Sequence, residues 1–292
     1  MLALNPMLRL PAICLPLLLL VQFSQAQGLK NDTIKVDKHQ FSLFNPTPRK
    51  YMRPMVPDRP GITESPYSVD AGHFQYETDV LRLLTRREGS TYGHDWYINH
   101  ALGKVGLSNR TDLQVGLDCY TATRSYDSAD PSQNSVSRGL GDLNLRLKHT
   151  LVGDDNSRWA LGLIGYVTLP TGGPRGDGAV EYGAVLPVVF ELTKAWGLGG
   201  QVATQVYWDR ETASHFLQLT PTFTTDYQFS KLVQVFAELV GYHDVRQPDW
   251  QSSVNTGMQL DLSDNVQLDF GTHLPLTNSV DREYFFGLSF RR

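Results

Sequence analysis

The chain has 292 residues, with 26 Lys and Arg against 30 Asp and Glu, for a net charge of −4. That balance offers no basis for binding nucleic acid or an acidic membrane surface. It holds two cysteines, and Cys14 falls in an export leader, so only Cys119 would remain; this excludes an internal disulfide and a Cys-based metal site, and with them a small stapled secreted domain.

The leader comes first. Arg9 supplies a positive start, Leu10 to Val21 is apolar with the run Leu17-Leu18-Leu19-Leu20, and Ser24-Gln25-Ala26 places small residues where a signal peptidase reads. Residues 1–26 are therefore expected to be a signal peptide cut before Gln27. Residues 27–71 form a Pro-rich irregular extension, broken by Pro46, Pro48, Pro54, Pro57, Pro60 and Pro66. After the leader no apolar run reaches the ~18 residues of a membrane helix.

From Gly72 onward the period is two. Leu113, Val115, Leu117, Cys119 and Thr121 alternate with Asp112, Gln114, Gly116, Asp118 and Tyr120. Leu143, Leu145 and Leu147 alternate with Asp142, Asn144, Arg146 and Lys148, and Val254 to Leu262 repeats the scheme. A strand with one apolar and one polar face needs different surroundings on its two sides. Strands are predicted near 73–84, 94–107, 110–123, 140–152, 158–170, 181–193, 196–208, 215–228, 231–244, 252–263, 265–275 and 282–291. The connections alternate between short ones (108–109, 153–157, 194–195, 229–230, 264) and longer ones (85–93, 124–139, 171–180, 209–214, 245–251, 276–281). Short turns at one rim and longer loops at the other describe an outer-membrane barrel, and an even strand count puts both ends on the short-turn, periplasmic side.

The predicted fold is all-β: a closed antiparallel transmembrane β-barrel of about 12 strands over residues 72–292. A soluble sandwich also alternates, but the strands here run well past the ~5–6 residues usual in soluble sheets. Glycines join the polar face at Gly116, Gly257 and Gly271, which suits a wet lumen. Aromatics cluster near strand ends as an interfacial girdle would: Tyr92, Trp96, Tyr97, Trp159, Trp196, Tyr207, Trp208, Tyr227 and Phe229. The final strand, with Tyr284, Phe286, Leu288 and Phe290 on one face, is similar to the C-terminal signal read by the barrel-assembly machinery, except that Arg291 and Arg292 follow the last aromatic. Outer-membrane lipid and that machinery are the expected partners.

Pro57-Asp58-Arg59-Pro60-Gly61-Ile62-Thr63-Glu64-Ser65-Pro66, followed by Gly72-His73-Phe74-Gln75-Tyr76-Glu77, resembles the opening of the family labelled "putative MetA-pathway of phenol degradation". Leu140-Gly141-Asp142-Leu143 and Leu169-Pro170-Thr171-Gly172 resemble its recurring pieces. The resemblance runs from about residue 57 to the end and implies an outer-membrane transporter-like barrel that passes small, aromatic or hydrophobic compounds.

Candidate lumen-lining residues are Asp112, Asp118, Asp142, Arg146, Lys148, Glu191, Glu238, Asp261 and Asp269. They form either a charged constriction that selects solutes or an ion-pair network filling a narrow barrel. Glu77 and Asp79 share a side of the first strand and are equally open. Asp58, Arg59 and Glu64, set among prolines that hold an extended path, are candidates for a plug in the periplasmic mouth or for a linker needed only in assembly. The loop 171–178 is either an inward gate or an ordinary surface loop. No serine stands where a histidine could activate it, since Ser214 and His215 face opposite sides of a strand. No metal-ligand cluster appears, and neither an enzyme activity nor a cofactor is expected.

Overall fold

The computed structural model describes residues 37–278 and 280–292. The expected leader, its cleavage point and residues 27–36 lie outside them. Thirteen strands follow an irregular segment: β1 (Phe74–Glu88), β2 (Thr91–Ser108), β3 (Thr111–Asp127), β4 (Ser135–Gly139), β5 (Leu143–Val152), β6 (Trp159–Leu169), β7 (Glu181–Thr193), β8 (Trp196–Asp209), β9 (Ser214–Gln228), β10 (Val233–Asp244), β11 (Gln251–Ser263), β12 (Val266–Pro275) and β13 (Arg282–Arg291).

Every neighbour pairing is antiparallel, β1 pairs with both β2 and β13, and the ring closes through β2–β3. β4 and β5 both pair with β3, one above the other, so the thirteen strands make twelve staves. Among the described residues every strand but the short β4, which pairs only with β3, has a partner on both sides, as a sheet in hydrocarbon requires. The period-two pattern explains the two faces. Leu113, Val115, Leu147, Leu186, Val188, Val202, Phe223, Leu239 and Phe286 are exposed on the outside. Lys104, Asp112, Gln114, Lys148, Glu238, Asn255 and Asp269 are buried inside.

Several expectations change. The connection expected at 85–93 is strand down to residues 89–90, because β1 and β2 stay paired as far as Glu88 and Thr91. Tyr92 stacks on Tyr126 of β3 there, with ring centroids 5.1 Å apart. The stretch expected as loop at 124–139 holds the end of β3 and all of β4. Thr121 does not continue the outer face of β3. β2 and β3 keep one register past Asn99, but Asn99 has φ 58° and donates to the Cys119 sulfur at 3.2 Å, and beyond this level Thr121 and Tyr97 turn into the lumen. Trp96, Trp159, Trp196, Tyr227 and Phe229 are exposed, but Tyr97 lines the interior. Gly257 and Gly271 do not line open water. A Cβ at either would sit 2.8 Å from a ring carbon of Phe236 or Phe285, both buried, so these glycines make room for two inward aromatics.

Candidate functional site

Residues 53–71 run inside the barrel. Their base is at the short-turn rim, where Arg53 Nη2 donates to the Asn109 carbonyl at 2.9 Å. The Asp70 carboxylate accepts from the Arg53 amide at 3.1 Å and lies 3.4 Å from both Lys38 and Arg291. Arg291, which follows the last aromatic of the closing strand, is thus committed to the base of this segment. Backbone meets backbone at Gly106, where a Cβ would lie 2.2 Å from the Asp70 carbonyl oxygen, so glycine alone permits the contact.

From this base the chain climbs and is pinned at each level. The Asp58 carboxylate sits between the ammonium groups of Lys104 on β2 and Lys148 on β5. It also accepts from the Ser65 amide at 2.9 Å, which closes residues 58–65 into a loop. Lys104 pairs in addition with Glu77 on β1, which accepts from the Asp58 amide at 2.9 Å. The side chains of Lys104, Lys148 and Glu77 are at most 2% exposed, so none of them is stabilised by bulk water. Burial alone would push the Asp58 carboxyl up, but Lys104, Lys148 and Arg146 outweigh it and hold it well below the usual carboxylate range.

Arg59 reaches Asp79 at 2.5 Å and Asp269 at 2.7 Å, with its guanidinium lying over Gly287, where a Cβ would be 2.1 Å from Nη2. Burial opposes its charge, and the two carboxylates restore it and raise its pKa. Glu238 on β10 accepts from the amides of Ile62 at 2.9 Å and Thr63 at 2.6 Å, and from Asn255 at 2.7 Å. Gln201 on β8 accepts from the Glu64 amide and donates to the Ile62 carbonyl, both at 2.8 Å. Glu64 pairs with Arg146 on β5. The chain then descends, with Thr150 donating to the Pro66 carbonyl at 2.9 Å and Asp112 accepting from the Val69 amide at 2.8 Å.

Of the nine candidate lining residues, Asp112, Arg146, Lys148, Glu238 and Asp269 meet this segment. Asp118 instead pairs with His100. Asp142 sits in the break between β4 and β5, not on a strand, and accepts from the amides of Gly172 and Asp177 at 2.6 Å each. It thereby draws the loop between β6 and β7 inward, and Arg175 of that loop donates to Thr121 at 3.1 Å. Glu191 and Asp261 line a cavity on the short-turn side. The residues missed by pattern are Lys104, Arg53 and Asp70. Lys104 carried a signal, as the one cation on the polar face of an otherwise uncharged stretch from Ala101 to Leu107.

Two cavities flank the loop 58–65. The upper one, about 440 Å³, is lined by Ile62, Glu64, Tyr97, Asp118, Arg146, Tyr166 and Arg175 among others. The lower one, about 480 Å³, is lined by Gly61, Thr63, Glu64, Glu191, Phe236 and Asp261 among others. Glu64 faces both, so the span Ile62-Thr63-Glu64 is what divides the lumen there.

The family described as "Putative MetA-pathway of phenol degradation" matches residues 57–291. No curated protein matches the chain. Among solved structures, an outer membrane channel from Pseudomonas putida F1 is similar at 15% identity and a TM-score of 0.53, over 80% of this chain and 97% of that one. The NanC porin follows at 12% identity and 0.45, over 72% and 98%. The CymD monoaromatic hydrocarbon channel stands at 9% identity and 0.40, over 75% and 87%. The first of these likenesses shows a shared barrel fold.

Proposed function

The chain belongs to the family described as "Putative MetA-pathway of phenol degradation", and on that premise we propose that it is an outer-membrane channel through which small compounds pass passively. Residues 58–65 are its constriction, and the charged residues named above set which solutes cross it. The observation that carries this reading is the pair of cavities on either side of the loop 58–65, with Glu64 lining both. A filled structural barrel would not keep volumes of that size on both sides of this loop.

The outer surface supports a bilayer location. Its apolar residues are exposed, and Trp159, Trp196, Tyr227 and Phe229 sit near the short-turn rim, where aromatic rings favour the membrane interface. The short-turn rim faces the periplasm in this reading, the aromatic face of β13 is what the barrel-assembly machinery reads, and a cleaved leader delivers the chain. The family's description and the mixed apolar and polar lining of the upper cavity favour small aromatic or amphiphilic solutes over sugars.

Removing residues 57–66 and recording single-channel conductance in planar bilayers tests the constriction. A several-fold rise is expected, and unchanged conductance would sink it. A second reading, a structural barrel with no transport, is favoured by the number of bonds that pin the loop and by inward Phe236 and Phe285. Liposome swelling with small phenols decides between the two: swelling supports the channel, and its absence for every solute supports the filled barrel. A lipase assay on the same preparation checks that the barrel does not hydrolyse lipid instead.

A further inference from the structure

Arg146 is half-used. Its Nη2 pairs with one Glu64 oxygen, while its Nε is buried and has no hydrogen-bond partner. A guanidinium meets a carboxylate best through two parallel bonds, and Glu64 makes only one. Glu64 cannot easily improve on this, because its own amide is fixed to Gln201 and its neighbours' amides are fixed to Glu238. A free carboxylate entering the upper cavity has no such tether.

We infer that the upper cavity binds a small organic monocarboxylate, whose carboxylate takes the Nε and Nη2 edge of Arg146 and displaces Glu64, so that the solute itself loosens the divider. The inference rests on the channel reading in taking the upper cavity as reachable from outside. The body of the solute is apolar or aromatic. Tyr166 lies under the Arg146 guanidinium at 5.9 Å, and Ile62, Leu102, Leu117, Val185 and Ala203 share the cavity wall. A volume of about 440 Å³ accommodates a single ring with its substituent.

The charges around the cavity limit the class further. Asp118, Asp142 and Asp177 line it with Glu64, against Arg146 and Arg175. One carboxylate can replace another on Arg146, but a second carboxylate on the solute meets more negative than positive side chains. Monocarboxylates are therefore preferred over dicarboxylates. The displaced Glu64 has somewhere to go, since it also lines the lower cavity, where water can solvate it. Displacement keeps the net affinity weak, and a permeating solute needs weak binding in order to leave.

The test is calorimetric titration of the folded full chain in detergent micelles with benzoate, benzamide and phthalate. Benzoate should bind saturably in the millimolar range, with benzamide and phthalate at least about tenfold weaker. Arg146→Gln should abolish benzoate binding. Glu64→Gln, which removes the internal competitor, should tighten it about tenfold. These opposite signs keep the inference falsifiable even if one variant folds poorly. Wild-type-like benzoate binding in Arg146→Gln, equal binding of benzamide, or no gain in Glu64→Gln would each overturn it. Because no transport step enters the titration, the two readings separate. Benzoate binding by a protein that passes no solute into liposomes supports this site and overturns the channel, whereas a conducting protein that ignores benzoate does the reverse.

Discussion

Around Asp58, residues from β1, β2 and β5 surround the inner segment with matched charge: Lys104, Lys148 and Glu77 are fully enclosed and each meets an opposite charge. Around Arg146, higher in the same lumen, the pairing is incomplete, with Nε unpartnered and an open cavity beside it. The two sets of charges therefore do different work. In the enclosed base, removing one partner strands another in a dry site, which costs far more than the intact pair is worth. In the open cavity, water or a solute can replace a lost partner.

That contrast predicts a ladder of effects. Asp58→Ala should be the most damaging, at roughly 3–5 kcal/mol of barrel stability, because Lys148 loses its buried partner and Lys104 keeps only Glu77. Urea unfolding in lipid vesicles measures it, and a loss below about 1 kcal/mol would mean that the base is wetter than its geometry indicates. Gly106→Ala should follow, at about 1–3 kcal/mol, since the new methyl collides with the Asp70 backbone rather than with a movable side chain. The same variant should raise single-channel conductance by unseating the segment, and unaltered conductance would show that the segment tolerates the shift.

Glu238→Gln sharpens the comparison at the divider. It keeps the shape but removes the charge that holds the Ile62 and Thr63 amides, for a loss of about 1 kcal/mol. Residues 58–65 should then become more accessible to protease added on the periplasmic side. Asp118→Asn should matter least for stability, about 0–1 kcal/mol, because its partner His100 is 42% exposed and the pair is screened by solvent. A large loss there would erase the distinction between the enclosed base and the open cavity.

Much of the barrel was legible because burial on the two faces of a strand imposes a period of two whatever the neighbours are. Leu113, Val115 and Leu147 could be placed outside on that ground alone. The same rule failed at Thr121 and Tyr97, because Asn99, with its positive φ, marks the level above which β2 and β3 turn their other faces inward without any change of register. Such a break shifts the alternation by one residue and leaves no mark in hydropathy. Gly257 and Gly271 misled for a related reason. A glycine on a polar face is consistent with water or with a neighbouring ring, and only packing tells that Phe236 and Phe285 take the space.

The interior divides the same way. That Asp58, Arg59 and Glu64 were charges in search of partners could be seen from their proline-bounded stretch, and so could Arg146, Lys148 and Asp269 on their strands. Their pairing could not, because Arg59 and Asp269 lie 210 residues apart and meet only when the ring closes. By itself the sequence determined an antiparallel barrel with an apolar outside and a charged inside, since alternation is a local property of each strand. The tertiary structure alone decided that residues 53–71 climb into the lumen, that Lys104 receives Asp58, and that Arg146 is left with an unused Nε above the divider. These are contacts between distant segments, and nothing local encodes which charge will face which.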